Sequence, residues 1–148
     1  MDNLEMEGTE LSTALKQIAV VNKWLGVLSV KVDSIKRLLK LNKSKPKSLR
    51  IVDIGCGGGE NLRTLADWGR KNDIKLELIG VDANAFTVEF AEKASLTYPE
   101  ISYKVVNVFD FEKSGIEYDI ALCCLFLHHF EDKDIEEILK NICASAKI

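Results

Sequence analysis

The chain lacks the features that mark several protein classes. Its 148 residues include two prolines and two histidines, and no apolar run approaches the roughly 18 residues of a membrane span, so no integral membrane segment is expected. Residues 1–7 lack the basic and apolar regions of a signal peptide. The formal net charge of −3 does not favour general nucleic-acid binding. With 47% hydrophobic residues, the composition predicts one globular domain, and the lack of signal-peptide features favours a cytoplasmic location.

Cysteine is present, but not in a metal-binding pattern. The four cysteines are Cys56, Cys123, Cys124 and Cys143, and no C-x-x-C spacing occurs. We therefore expect reduced, buried cysteines and no metal site.

Two regions differ in their hydrophobic period. Residues 9–41 carry apolar side chains at three- and four-residue steps, which predicts two helices, or one helix kinked near Gly26, followed by a linker. Basic residues between Lys36 and Arg50 are typical of a solvated face; attraction of an acidic substrate or of an anionic membrane is the alternative. From Leu49 onward, strands and helices alternate, which predicts an α/β fold with a parallel sheet and helices on both faces. The helices in this part are predicted over Asn61–Lys71, Asn84–Tyr98 and Asp132–Ala146.

The most informative segment is Ile51 to Gly59, which reads Ile-Val-Asp-Ile-Gly-Cys-Gly-Gly-Gly. Glycines after a buried strand allow a sharp turn and let a ligand touch the main chain, and the start of the following helix suits a carboxylate or a phosphate. A dinucleotide fingerprint needs a third glycine where Glu60 stands, and Glu60 would repel a pyrophosphate. The loop therefore favours a nucleotide-type cofactor without phosphate, and an NAD-dependent enzyme stays an alternative.

Three later segments are predicted as strands: Leu76–Asp82, Ser102–Asp110 and Tyr118–Cys124. The first of them ends in an acid, which suits hydrogen bonding to ribose hydroxyls. The last continues into Leu-Phe-Leu-His-His-Phe at residues 125–130.

In this order, the segments resemble class I S-adenosylmethionine (SAM)-dependent methyltransferases of the ubiquinone- and menaquinone-biosynthesis type, over roughly residues 49–146. The resemblance implies a Rossmann-like sheet of seven strands in the order 3-2-1-4-5-7-6, of which four are recognisable here. Strands five to seven are expected to be absent, which would leave the fourth strand as a bare, apolar sheet edge. Either the sequence is a fragment of a longer methyltransferase, or a partner chain covers that edge. A bare fourth strand would favour a homo-oligomer.

The resemblance also implies roles for individual residues. Asp53 would hold the methionine ammonium, or else accept bonds within the turn, and Asp82 would bind the ribose or else cap the next helix. Leu125 would face the sulfonium, and His128 or His129 would act as a base for a hydroxyl acceptor or pack under the next helix. Val108 and Phe109 would pack on the adenine or else fill the core. The remaining cofactor contacts would come from Gly55, Cys56, Gly57, Gly59, Ala83, Asn84 and Asn107 (or Asp110 in its place).

The sequence thus predicts a helical lid and linker over residues 1–48 and a SAM-binding domain over residues 49–148. The predicted function is methyl transfer from SAM to a small, apolar or aromatic acceptor. The alternatives are a non-catalytic SAM-binding or partner-binding module and, less favoured, an NAD-dependent enzyme.

Overall fold

A computed structural model describes residues 8–24, 27–41 and 48–144. The predicted kink at Gly26, most of the predicted linker and the last residues of the predicted final helix lie outside these ranges.

Four parallel strands form a single sheet in the described part of the chain. They pair in the order β3-β2-β1-β4, which confirms the predicted parallel sheet. The register places Asp53 of the central strand opposite Gly80 and Leu122. The strands are β1 (Leu49–Ile54), β2 (Leu76–Asp82), β3 (Ile101–Val105) and β4 (Ile120–Cys123).

Helices cover both faces of the sheet, as predicted. Successive side chains of a strand point to opposite faces, so Ile51 packs with one core cluster and Val52 with the other. The first cluster joins the sheet to α2, α3 and α4, and the second joins it to α5. The helices are α1 (Thr9–Trp24), α2 (Val27–Leu41), α3 (Glu60–Lys71), α4 (Ala85–Ala94) and α5 (Asp132–Ala144).

The third predicted strand is wrong beyond Val105. The Asn107 side chain accepts a hydrogen bond from the Phe109 amide at 3.1 Å, and residues Val108–Ser114 form a 3₁₀ helix. A short amide side chain that bonds its own backbone competes with the strand ladder and starts a turn. The predicted helix Asn84–Tyr98 likewise ends early, at Ala94.

No helix among the described residues is both long enough and apolar enough to span a membrane.

Candidate cofactor site

The candidate site lies at the carboxyl ends of β1 and β2. Strands that run parallel bring the loops after them to one edge of the sheet, where ligands of open α/β folds bind. The amides of Gly55 and Cys56 both donate to the Val81 carbonyl, at 2.9 and 3.0 Å. These bonds hold the start of the glycine loop, residues 55–59, against the end of β2.

The glycines of this loop serve different purposes. A Cβ at Gly55 would lie 2.2 Å from the Phe126 ring, so packing within the chain requires a bare backbone there. At Gly57, where φ is +52°, the nearest atom within 4 Å is Leu15 Cδ2 of α1, at 3.8 Å. Gly57 is thus the residue of the pair with an open side that can admit a ligand.

Asp53 and Lys31 form a buried pair of opposite charges beside the loop. Asp53 is 1% exposed and Lys31, on α2, is 6% exposed. Asn61 donates to Asp53 Oδ2 at 3.1 Å, whereas Asp53 Oδ1 and Lys31 Nζ have no hydrogen-bond partner among the described residues. Burial raises the pKa of Asp53 to about 6, although the positive charge of Lys31 and the bond from Asn61 lower it.

The pKa of Cys124 also indicates that Lys31 lies at this edge of the sheet. Burial and the charge of Asp53 raise the pKa of Cys124, which follows β4, while Lys31 lowers it. Lys31 was not predicted from the sequence as a site residue. Its position four residues before Ile35, on the face of α2 that meets the core, could have indicated that it is buried.

Asp82 connects the tip of β2 to the glycine loop. Its carboxylate accepts from the Gly57 amide at 3.2 Å and from the Asn84 amide at 3.0 Å. Burial raises the pKa of Asp82, and these amide bonds lower it. The cap of α4 is Asn84 itself, whose side chain accepts from the Thr87 amide at 2.9 Å. Each carboxylate oxygen can accept more than one bond, so Asp82 keeps acceptor capacity for a ligand hydroxyl. Ala83 follows it and is half-buried.

The residues that follow β3 begin beside the tip of β2. The Val106 amide donates to the Asp82 carbonyl at 2.9 Å, which keeps Asn107 near the tip of β2. The Asn107 side chain is exposed and bonds to Phe109. Val108 is buried in the core, and the alternative Asp110 is exposed and pairs with Lys113.

An aromatic cluster lies beside the loop that follows β4. The rings of Phe126 and Phe130 are 5.0 Å apart, and those of Phe109 and Phe130 are 5.8 Å apart. Leu125 precedes Phe126, is 58% exposed and has a φ of +52°, a conformation that costs a leucine strain energy.

The two histidines face outward. Their rings lie 3.9 Å apart, and the side chains of His128 and His129 are exposed. All four cysteines are free. Cys56 is buried as expected, but Cys123 and Cys124 are half-buried and Cys143 is exposed, because α5 turns that residue away from the core.

In residues 8–24, 27–41 and 48–144, no group of His, Cys, Asp and Glu is arranged to hold a metal ion.

SAM fits the residues present at this site. Its amino-acid end carries one positive and one negative charge, and Asp53 and Lys31 offer a buried polar atom of each sign. The open side of Gly57 admits close approach, and Asp82 offers acceptors at the tip of β2.

The strand order, the glycine loop after the central strand and the acid at the tip of the next strand define a Rossmann-like, nucleoside-cofactor fold. Residues 51–147 match the family model described as a methyltransferase domain. The chain belongs to this methyltransferase-domain family, of the class I, SAM-dependent type.

Known relatives agree with this assignment. The ubiquinone biosynthesis O-methyltransferase of Brucella ovis is 30% identical over 96 residues, which cover 64% of this chain and 36% of the relative. That of Rickettsia typhi is 25% identical over 122 residues, which cover 80% and 45%. The chain therefore spans less than half the length of these curated relatives.

A solved structure shows the same fold. The magnesium protoporphyrin IX methyltransferase of Synechocystis, with bound SAM, matches with a TM-score of 0.64 at 19% identity. The match covers 98% of this chain and 64% of that one.

Proposed function

We propose that this chain is the SAM-binding part of a methyltransferase that acts on a small, apolar or aromatic acceptor. The observation that carries the proposal is the pair Asp53 and Lys31, two buried groups of opposite charge that each keep a polar atom without a hydrogen bond in the described structure. Burying such atoms without partners costs free energy unless a ligand satisfies them. A zwitterionic amino-acid group satisfies both.

Each binding residue has a role that follows from its atoms. Asp53 Oδ1 would accept from the ammonium of the cofactor, and Lys31 Nζ would donate to its carboxylate. Gly57 would lie against the cofactor through its bare backbone, and Asp82 would accept from the ribose hydroxyls. Residues 1–48 would act as a lid, since α1 carries Leu15 to the glycine loop and α2 carries Lys31 to the buried carboxylate.

When bound, SAM supplies a methyl group on a sulfonium, which is a good leaving group. The chain mainly needs to orient the acceptor and exclude water. Phe109, Phe126 and Phe130 offer an apolar wall for an aromatic acceptor beside the glycine loop. His128 or His129 could take a proton from an acceptor hydroxyl, since both side chains are exposed near this wall. The curated relatives named for ubiquinone biosynthesis support a hydroxyl acceptor.

The cofactor assignment is tested by calorimetric titration with S-adenosylhomocysteine (SAH), SAM and NAD⁺. We expect SAH to bind in the micromolar range, near −8 kcal/mol, and NAD⁺ not to bind. Binding of NAD⁺ without SAH would overturn the proposal in favour of a dehydrogenase.

The amino-acid clamp is tested by Lys31→Met, which keeps an apolar stem and removes the charge. The variant should bind SAH about 10- to 100-fold more weakly, the loss of a charge-assisted hydrogen bond, and should bind adenosine, which has no amino-acid end, as the parent does. The matched control is Lys36→Met on the same helix, because Lys36 is exposed and pairs with Asp33. Equal SAH affinity in the Lys31 variant and the parent would refute the clamp.

A further inference from the structure

A chain of hydrogen bonds runs behind the glycine loop and has no part in the binding roles above. The hydroxyls of Tyr103 and Ser95 share a bond of 2.8 Å. Arg63 Nη1 donates to Ser95 Oγ at 3.0 Å and to the Gly58 carbonyl at 2.8 Å. The chain therefore connects β3, the end of α4 and α3 to the main chain of the loop.

The Tyr103 ring also determines where the loop lies. A Cβ at Gly59 would come within 2.1 Å of the Tyr103 hydroxyl, and one at Gly80 within 2.5 Å of its ring. The ring thus occupies the space that these two glycines leave between β2 and the loop. Burial raises the pKa of Tyr103 to about 12, so its hydroxyl keeps its proton at neutral pH and can donate or accept in the chain.

Arg63 contacts the loop on both sides of Gly59. Besides the Gly58 carbonyl, its guanidinium pairs with Glu60 at 3.2 Å. Gly59 precedes α3, has a φ of +77° and provides no side-chain cap. In the absence of a cap, Arg63 and Tyr103 hold the entry into α3.

We propose that Arg63, Ser95 and Tyr103 are positioning residues, which hold the glycine loop in the conformation that binds the amino-acid end of the cofactor. The proposal rests on the proposed SAM site. These residues act through the main chain at Gly58 and Gly59, not by touching the ligand.

The test compares Tyr103→Phe with Tyr98→Phe. The first keeps the ring and removes the buried hydroxyl; the second removes a hydroxyl that bonds to Asp67 at 3.3 Å on the outer surface. We expect Tyr103→Phe to weaken SAH binding about 5- to 30-fold and to leave adenosine binding within about twofold, since the lost bonds support the loop and not the nucleoside end. The Tyr98 variant should match the parent for both ligands.

Arg63 provides an independent pair of variants. Arg63→Gln should weaken SAH binding by a similar factor, and Arg63→Lys should restore part of it, because a lysine can still donate to the Gly58 carbonyl. Arg70→Gln is the control on the same helix, since Arg70 pairs with Glu100 away from the loop. Folded Tyr103 and Arg63 variants with parental SAH affinity would overturn the proposal.

Hydrogen exchange separates this proposal from the cofactor assignment. In the absence of ligand, the amides of residues 57–60 should exchange faster in Tyr103→Phe than in the parent. If the parent binds no SAH, the proposed function fails while the exchange result still decides the role of the hydrogen-bonded chain; unchanged exchange would count against it. Should Tyr103→Phe not fold, Ser95→Ala breaks the same chain with a smaller change and is measured in the same way.

Discussion

Replacing Asp53 by asparagine should stabilise the folded chain at neutral pH and weaken its ligand binding. Burial raises the pKa of this carboxyl from 3.8 to about 6, against the lowering effects of Lys31 and Asn61. Asparagine has nearly the same shape and can still accept the hydrogen bond from Asn61. The change therefore removes the buried negative charge, and with it the attraction to Lys31, while the shape of the side chain stays nearly the same.

The magnitude follows from linkage. A pKa that is higher in the folded state means that the folded chain holds the proton more tightly, so the contribution of Asp53 to stability is complete below about pH 4 and is lost as the pH rises through about 6. A shift from 3.8 to about 6 corresponds to about 3 kcal/mol. Asparagine does not titrate. The free energy of unfolding of Asp53→Asn, relative to the parent, should thus increase by about 2 kcal/mol between pH 4 and pH 7, because part of the change occurs below pH 4.

The assay is denaturant unfolding of both proteins without ligand, at pH values from 4 to 7. Other carboxyl groups titrate in both chains and cancel in the difference. Asp33→Asn, on the exposed face of α2, shows how much an exposed Asp-to-Asn change varies over the same range. If the Asp53 variant and the parent give parallel curves, the buried carboxylate carries no such cost and the reasoning is refuted.

The same variant should bind SAH about 10- to 100-fold more weakly than the parent at pH 7, because the ligand ammonium loses its charged acceptor. In the parent, SAH affinity should fall as the pH drops through about 6, where Asp53 gains a proton. Affinity in the variant should change less than in the parent over this range, since of the two proposed acceptor carboxyls only Asp82 still titrates. A variant that binds SAH as the parent does would show that the ammonium lies elsewhere.

Three further changes test other parts of the site and the sheet. Asp82→Ala should weaken SAH binding by about 1–3 kcal/mol, the value of charge-assisted bonds to the ribose, and unchanged affinity in a folded variant would exclude that role. Gly57→Ala should abolish most SAH binding, whereas Gly115→Ala, which imposes similar strain at a φ of +65° with open space around it, should lower stability alone; equal ligand effects would contradict the loop assignment. The 148-residue chain should sediment as a dimer or larger species at micromolar concentration, because β4 bonds to β1 along one edge and carries no charged side chain; a clean monomer would contradict this.

Local patterns in the sequence determined the sheet and the loop. Short apolar strands alternate with helical periods, and a chain of this kind folds into a parallel sheet through right-handed crossovers. The order of the first four strands was implied by the resemblance to class I methyltransferases and not by this alternation. The glycine loop and Asp82 were also predictable, because each follows a buried strand directly and depends on its own few residues. Asn107 shows the limit of such reasoning, because its side chain accepts a hydrogen bond from the Phe109 amide and a 3₁₀ helix begins where the apolar run predicted more strand.

Contacts between distant segments were decided by the tertiary structure alone. Nothing near Lys31 in the sequence indicates that its ammonium reaches the region of Asp53, since that depends on how α2 packs over the sheet. The sequence predicts Gly59 as a ligand contact, yet a side chain there would clash with Tyr103, which lies on a strand two positions away in the sheet. Period and turn chemistry act between neighbours in the chain, whereas buried charge and close packing depend on which surfaces meet after the helices have docked.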